Sequence, residues 1–290
     1  MAVTREFRRA LASVARSPAL LGLAVLLAVF RPPPALRVVS YVYLFLALLT
    51  FVLTPVPMAA LLGASDRTLR EQPTTDGLVG TVKDRYLQLL AANGAISAAF
   101  LGLNFAFGIL VTVLVLVVGI GAAGVGALVS PSPVSTPGAG GSDGLLAGLG
   151  VVAIAAYALL ILAVLAANTV LDVLVRFAKP AVVVGEASAL DALSESYGLV
   201  RAFPRVALGY YAVQRAVGLC LGALVVVAAV GLFSVGSLVS NPLSGTESGV
   251  AAVIAVVLAA YAARSITYAV TLPYTVNVYQ YLRYRSGRTD

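Results

Sequence analysis

The sequence has no histidine, no tryptophan and one cysteine, Cys220, in 290 residues. Charge is scarce too: 11% of its residues are Asp, Glu, Lys or Arg, where soluble chains carry about 25%. Each shortage excludes something. With no imidazole and one thiol, the common zinc sites, iron–sulfur clusters and a Ser–His–Asp triad lack their ligands or base. A proton relay would have to run on carboxylates. A lone thiol closes no internal disulfide, and Cys220 sits in an apolar run, where thiols serve as packing. We therefore expect no cofactor, no metal and no catalytic residue, and we read the chain as not an enzyme. Too few polar side chains remain to coat a soluble surface.

What is abundant is apolar: 60% of the residues are hydrophobic and the mean hydropathy is +1.00. That composition predicts an all-α, polytopic membrane protein. The net charge is +7, and 17 of the 19 basic residues are arginine. They stand at the ends of apolar runs, where flanking residues meet anionic lipid, so the expected partners are the bilayer and anionic lipid and not nucleic acid.

Residues 1–17 predict an amphipathic, interfacial N-terminus, with Phe7, Leu11 and Val14 on one face and Arg5, Arg8 and Arg9 around the other. Ser17 and Pro18 form a helix start, a capping residue followed by proline at the first position. Six spans are expected within a membrane domain over 18–272, at about 18–30, 38–62, 97–122, 145–175, 206–239 and 250–272. The first is short, about 20 Å of helix against a ~30 Å hydrocarbon core. The 44 residues from 86 to 129 carry no charge, about 66 Å of helix. We read them as an interfacial helix over 78–95 followed by the third span, whose exit is loosened by Gly119, Gly121, Gly124 and Gly126. Residues 182–205 predict a second amphipathic segment, with Leu190, Leu193, Tyr197 and Val200 on one face and Asp191, Ser194 and Glu195 on the other. The Tyr- and Arg-rich tail, 273–290, is expected at the interface and in the cytoplasm.

Orientation follows from the arginines and lysines. Arg5, Arg8, Arg9 and Arg16, then Arg67, Arg70, Lys83 and Arg85, then Arg176, Lys179, Arg201 and Arg205, then Arg283, Arg285 and Arg288 all fall on one side, and Arg31 and Arg37 on the other. Basic short connections stay inside, so both termini are expected in the cytoplasm of a multi-pass cell-membrane protein. With no tryptophan, tyrosines serve as interfacial anchors: Tyr41 and Tyr43 outside, Tyr210, Tyr274, Tyr281 and Tyr284 inside.

The stretch 182–204, VVVGEASALDALSESYGLVRAFP, resembles the signature segment of the glycerophosphoryl diester phosphodiesterase membrane-domain-like family. The resemblance implies six spans, a basic amphipathic N-terminus and amphipathic cytoplasmic segments before the third and fifth spans. The phosphodiesterase chemistry behind the family's name needs acidic and histidine metal ligands on a soluble barrel, so no such activity is expected here. A second resemblance competes. Glu186-Ala187-Ser188-Ala189-Leu190-Asp191-Ala192 is similar to the coupling loop of ATP-binding-cassette importer permeases, although Ala192 or Leu193 stands at the glycine position and Arg201-Ala202-Phe203-Pro204 replaces Ile-x-Leu-Pro. Glu186, Asp191, Glu195 and Arg201 are accordingly candidate contacts for a protein partner at the cytoplasmic face.

Charges inside a span are costly, about 2.5–3.5 kcal/mol each on insertion scales, and so draw attention. Arg215 lies in the fifth span, Arg264 in the sixth and Asp172 near the end of the fourth. Helical spacing groups Tyr211 with Arg215, Gly218 and Gly222; Tyr261 with Arg264, Ser265, Tyr268 and Thr271; Asn168 with Asp172; and Asn93 with Ser97 and Asn104. Two readings stay open. Arg215 and Arg264 hold an anionic group, with Asp172 balancing one charge; or Asp172 and backbone carbonyls satisfy the arginines as internal glue, or the arginines snorkel toward water. Gly218-x-x-x-Gly222 and Gly144-x-x-x-Gly148 are expected to pack against other helices. The function this supports is a non-enzymatic membrane-organising or interaction module; the alternative is a permease subunit for a small or lipidic solute, with residues 186–204 as its coupling segment.

Overall fold

The computed structural model describes residues 2–30, 48–73, 77–129, 141–239 and 247–287, with side chains over 3–30, 48–73, 77–116, 154–231 and 254–287. The protein is all-α, and among the described residues there is no strand. In chain order the helices are α1 (Ala2–Arg16), α2 (Pro18–Phe30), α3 (Pro55–Leu69), α4 (Leu78–Val129), α5 (Gly141–Leu174), α6 (Ala178–Val183), α7 (Ala189–Ala202), α8 (Pro204–Val239) and α9 (Glu247–Arg285). Among the described residues five stretches are long and apolar enough to cross a membrane: Leu48–Leu69, Leu78–Leu116, Ile154–Val183, Pro204–Gly231 and Ile254–Arg285. A sixth is obtained when α1 and α2, bent by 97° at Ser17, are taken as one broken span.

The chain forms two compact units, Met1–Gly94 with Val173–Asp290, and Ala95–Asp172. In the first, α9 is the central element and packs on α8, α2, α1 and α3. Its second half is buried on all sides, from Ala269 through Tyr279 with the lone exception of Leu272, and again at Leu282. In the second unit α4 and α5 are tied by a reciprocal amide pair: Asn104 Nδ2 donates to Asn168 Oδ1 at 3.1 Å, and Asn168 Nδ2 to Asn104 Oδ1 at 3.2 Å.

Several expectations are corrected. No break separates an interfacial helix at 78–95 from a span at 97–122; α4 runs unbroken for 52 residues, through the four glycines. Glycine costs a helix about 1 kcal/mol in water, but in hydrocarbon a backbone that leaves the helix loses its hydrogen bonds with nothing to replace them. Proline 273 likewise fails to end the sixth span: α9 carries it in its interior and continues to Arg285. The helix therefore continues through 273–285, and Tyr274, like Tyr210, is buried among neighbouring helices. The second span, described from Leu48, passes Pro55 and Pro57 and continues to Leu69. Its first part, with Arg31, Arg37, Tyr41 and Tyr43, lies outside the described residues.

The amphipathic faces also differ. In α1 the buried side is Glu6, Ala10 and Ser13, continuing to Ser17, while Leu11 is exposed. In α7 the buried side is Ala189, Ala192, Ser196 and Leu199 with Val200, and Leu190 and Tyr197 point outward at 75% and 50% exposure. Both helices put their small residues against the bundle, because a small residue lets backbones approach closely. The aliphatic run before α7 is core, with Ala181, Val182 and Val183 buried in α6. Gly218 and Gly222 face open space, so that pair closes no helix contact among the described residues; the side chains around Gly144 and Gly148 are outside the described set.

Candidate functional site

The second half of α9 is joined to α1, α3, α7 and α8 by polar contacts. Toward α1, Asn277 Nδ2 donates to the Glu6 carbonyl at 3.2 Å, and the rings of Phe7 and Tyr274 meet edge-on at 5.4 Å. Toward α8, Tyr210 and Thr275 share a hydroxyl–hydroxyl bond of 2.5 Å, with the Tyr210 and Tyr274 rings 4.9 Å apart. Toward α3, the Gln280 amide donates to the Asp66 carboxylate, which also pairs with Arg70 at 3.1 Å. Toward α7, the Tyr279 hydroxyl donates to Glu195 Oε1 at 2.8 Å, and Arg283 Nε lies 3.8 Å from the same oxygen. A buried polar group is tolerated when it is bonded, and this hub satisfies most of its members across helices far apart in sequence. The Tyr274 hydroxyl is buried with no hydrogen-bond partner among the described residues.

The connection between α6 and α7 is pinned to the same body. Arg85 Nη2 pairs with Glu186 Oε1 at 2.9 Å, and Gln88 Oε1 accepts from the Ala189 N–H at 3.0 Å. Glu186 has φ 56°, a left-handed conformation in which a residue other than glycine is uncommon. Gly185 beside it has no room for a side chain. A Cβ there would collide with the Tyr279 hydroxyl and lie 2.7 Å from the Ala181 carbonyl. Ser196 closes the α5–α6 turn, donating to Leu174 O at 2.6 Å while accepting from Phe177 N at 3.1 Å.

Of the four candidate partner contacts, two are engaged inside the fold: Glu186 with Arg85, and Glu195 with Tyr279 and Arg283. Asp191 serves the N-terminus of α7, where Ser188 Oγ accepts from its backbone N–H at 3.3 Å and donates to its carboxylate at 2.6 Å. Arg201 is exposed near the end of that helix.

The intramembrane candidates resolve into pairs. Arg215 Nε donates to the Tyr211 hydroxyl at 2.7 Å, and its guanidinium lies 4.9 Å from that ring's centre. Arg264 Nε donates to the Tyr268 hydroxyl at 3.0 Å, 5.6 Å from the ring centre. In each helix the tyrosine stands one turn nearer the arginine-bearing end, Arg205 for α8 and Arg283 with Arg285 for α9, so both guanidiniums lean the same way. Each guanidinium thus carries a hydrogen bond and a cation–π contact to a tyrosine of its own helix. Asn168 pairs with Asn104, and Asp172 closes the second unit, half-buried. Among the described residues no group of three or more Cys, Asp or Glu side chains is placed to hold a metal ion.

The residues that sequence reasoning passed over are those of the hub: Glu6, Asp66, Asn277, Tyr279 and Gln280. A signal was present. Residues 271–282 place Thr271, Thr275 and Tyr279, then Leu282, on one helical stripe, and Tyr274, Asn277 and Val278 on another, which marks a helix with neighbours on several sides.

A family model described as a domain of unknown function (DUF7847) matches residues 1–282. The chain belongs to that family. The match runs through α1 and almost all of α9, so in this DUF7847 protein both partners of the Asn277–Glu6 contact lie within the family domain. No curated protein and no solved structure matches the chain.

Proposed function

We propose that the chain is a non-enzymatic membrane module that crosses the cell membrane six times, with both termini in the cytoplasm, and organises the membrane face at that side. The observation that carries this reading is the hub. Polar contacts lock α1, α3, α7 and α8 to the end of α9, while the arginines of α1 remain outside it, with Arg5 and Arg9 about 60% exposed. Such a body is a rigid, basic surface at the level of lipid headgroups, suited to hold anionic lipid and a protein partner. The layout also supports kinship with the glycerophosphoryl diester phosphodiesterase membrane-domain-like proteins.

The test is mass spectrometry of what the full chain retains after mild detergent extraction, paired with labelling. In a Cys220→Ser background, Ala12→Cys in α1 and Ser194→Cys in α7 are expected to resist a membrane-impermeant maleimide in intact cells and to react after lysis. Reaction in intact cells overturns the orientation. Retention of neither anionic lipid nor a stoichiometric protein overturns the organising role.

One observation favours the permease-subunit reading. Leu190 and Tyr197 project from α7 as a coupling helix would present its contacts. A nucleotide-binding subunit cross-linked through residues 190 and 197 would select that reading.

A further inference from the structure

Between α1 and the end of α3 lies a cleft of about 470 Å³, within the range of small-ligand sites, ~300–1,000 Å³. Arg9 and Arg16, two helical turns apart, reach into it from α1 with Ser13, and Thr68, Leu69 and Glu71 line it from α3. The donors in the cleft are the guanidiniums. The hydroxyls of Ser13 and Thr68 already donate to their own helices, at Ala10 O and Ala64 O. Arg9 is held in place: its Nη1 lies 3.3 and 3.4 Å from the two oxygens of Glu6, which is 3% exposed. Those bonds use one end of the fork and leave Nη2 and Nε for a ligand. Arg16 is exposed and makes no ion pair among the described residues. The single acid of the lining, Glu71, sits just past the end of α3 with φ 59°.

We propose that this cleft binds a phosphate group, taken between the forks of Arg9 and Arg16, either on a phospholipid headgroup or as a soluble phosphate. Guanidinium forks match phosphate oxygens two at a time, and charge-assisted bonds of this kind are the strong ones. A lipid source rests on the proposed position of α1 at the membrane surface. A soluble source does not.

The test titrates the full chain, in a neutral detergent, with dioctanoyl phosphatidylglycerol and separately with inorganic phosphate, followed by calorimetry. Saturable single-site binding is expected, weakened about tenfold or more by Arg16→Gln. Arg8→Gln removes the same charge from an exposed position of α1 outside the cleft, and is expected to change affinity less than about twofold. Glu71→Gln is expected to tighten binding. Equal losses from R16Q and R8Q would reduce the effect to diffuse surface charge and overturn the site. Absence of saturation by either probe overturns it, as does loss of binding in E71Q, which would mean that the probe depends on the Glu71 carboxylate rather than on the two guanidiniums. Should R16Q shift the melting temperature, Arg16→Lys keeps the charge without the fork and is expected to weaken binding while melting normally; unchanged binding in R16K would remove the bidentate site. Saturation by inorganic phosphate alone would uphold the site with a soluble ligand and count against the proposed membrane-surface position of α1.

Discussion

The two ends of α8 and α9 are built on opposite rules. At the arginine-bearing end, Ala207 and Tyr210 of α8 and Ala269, Tyr274, Val276 and Tyr279 of α9 are almost wholly inaccessible. Along the apolar length, Leu219, Leu224 and Val227 of α8 and Ile254 and Leu258 of α9 stand out at 53–72% exposure. In water this would be inside out. In a bilayer it is economical: lipid tails solvate leucine and valine as well as another helix does, so apolar lengths need no partner. The headgroup end faces water and charge, and there the chain must satisfy its polar groups by packing. Cohesion therefore resides where the residues are least greasy.

This contrast is broken or sharpened by substitutions read as thermal melting in detergent. The largest effect is expected from Leu282→Ala, a fully buried hub leucine, at about 2–5 kcal/mol lost. Next comes Gly185→Ala, whose methyl has to displace Tyr279 or the Ala181 carbonyl, at about 1–3 kcal/mol. Tyr279→Phe removes one bond to a carboxylate that keeps Arg283 nearby, and is expected to cost about 1–2 kcal/mol. Tyr274→Phe deletes a buried hydroxyl with no partner, and is expected to be neutral or stabilising by up to ~1 kcal/mol. Leu224→Ala, on the exposed length of α8, is expected to change stability by less than about 0.5 kcal/mol. Leu282→Ala and Leu224→Ala delete the same atoms. Equal losses from the two would erase the distinction between the two ends.

Composition made the lower half of this picture legible. The apolar composition and the dearth of charge led directly to an all-α membrane chain, and α2, α5, α8 and α9 begin within a few residues of where spans were expected. Helix continuity was less legible. Pro273 and the glycines of α4 are breakers in water, and propensities measured there mislead in oil. In α1 and α7 the buried side was less legible than the apolar stripe: Ala189, Ala192 and Ser196 point inward because they are small enough to let backbones approach, which leaves Leu190 and Tyr197, like Leu11 of α1, exposed. The hub was the least legible part. Its bonds join residues such as Glu6 with Asn277 and Asp66 with Gln280, and a sequence without an alignment carries no trace of such distant pairings. Arg215 and Arg264 were visible as anomalies, and what spacing alone left open was the direction in which they lean.

The corner at Ser17 limits how α1 and α2 can sit in a bilayer. Two axes that meet at 97° cannot both follow the bilayer normal: if α2 stands upright, α1 floats flat, its arginines level with the phosphates. A flat float resists both sinking and rising, since immersion would drown guanidiniums in hydrocarbon and emersion would strand Leu11 in water. Fastened to α9 through Asn277, it would hand that waterline to the unit formed by Met1–Gly94 and Val173–Asp290.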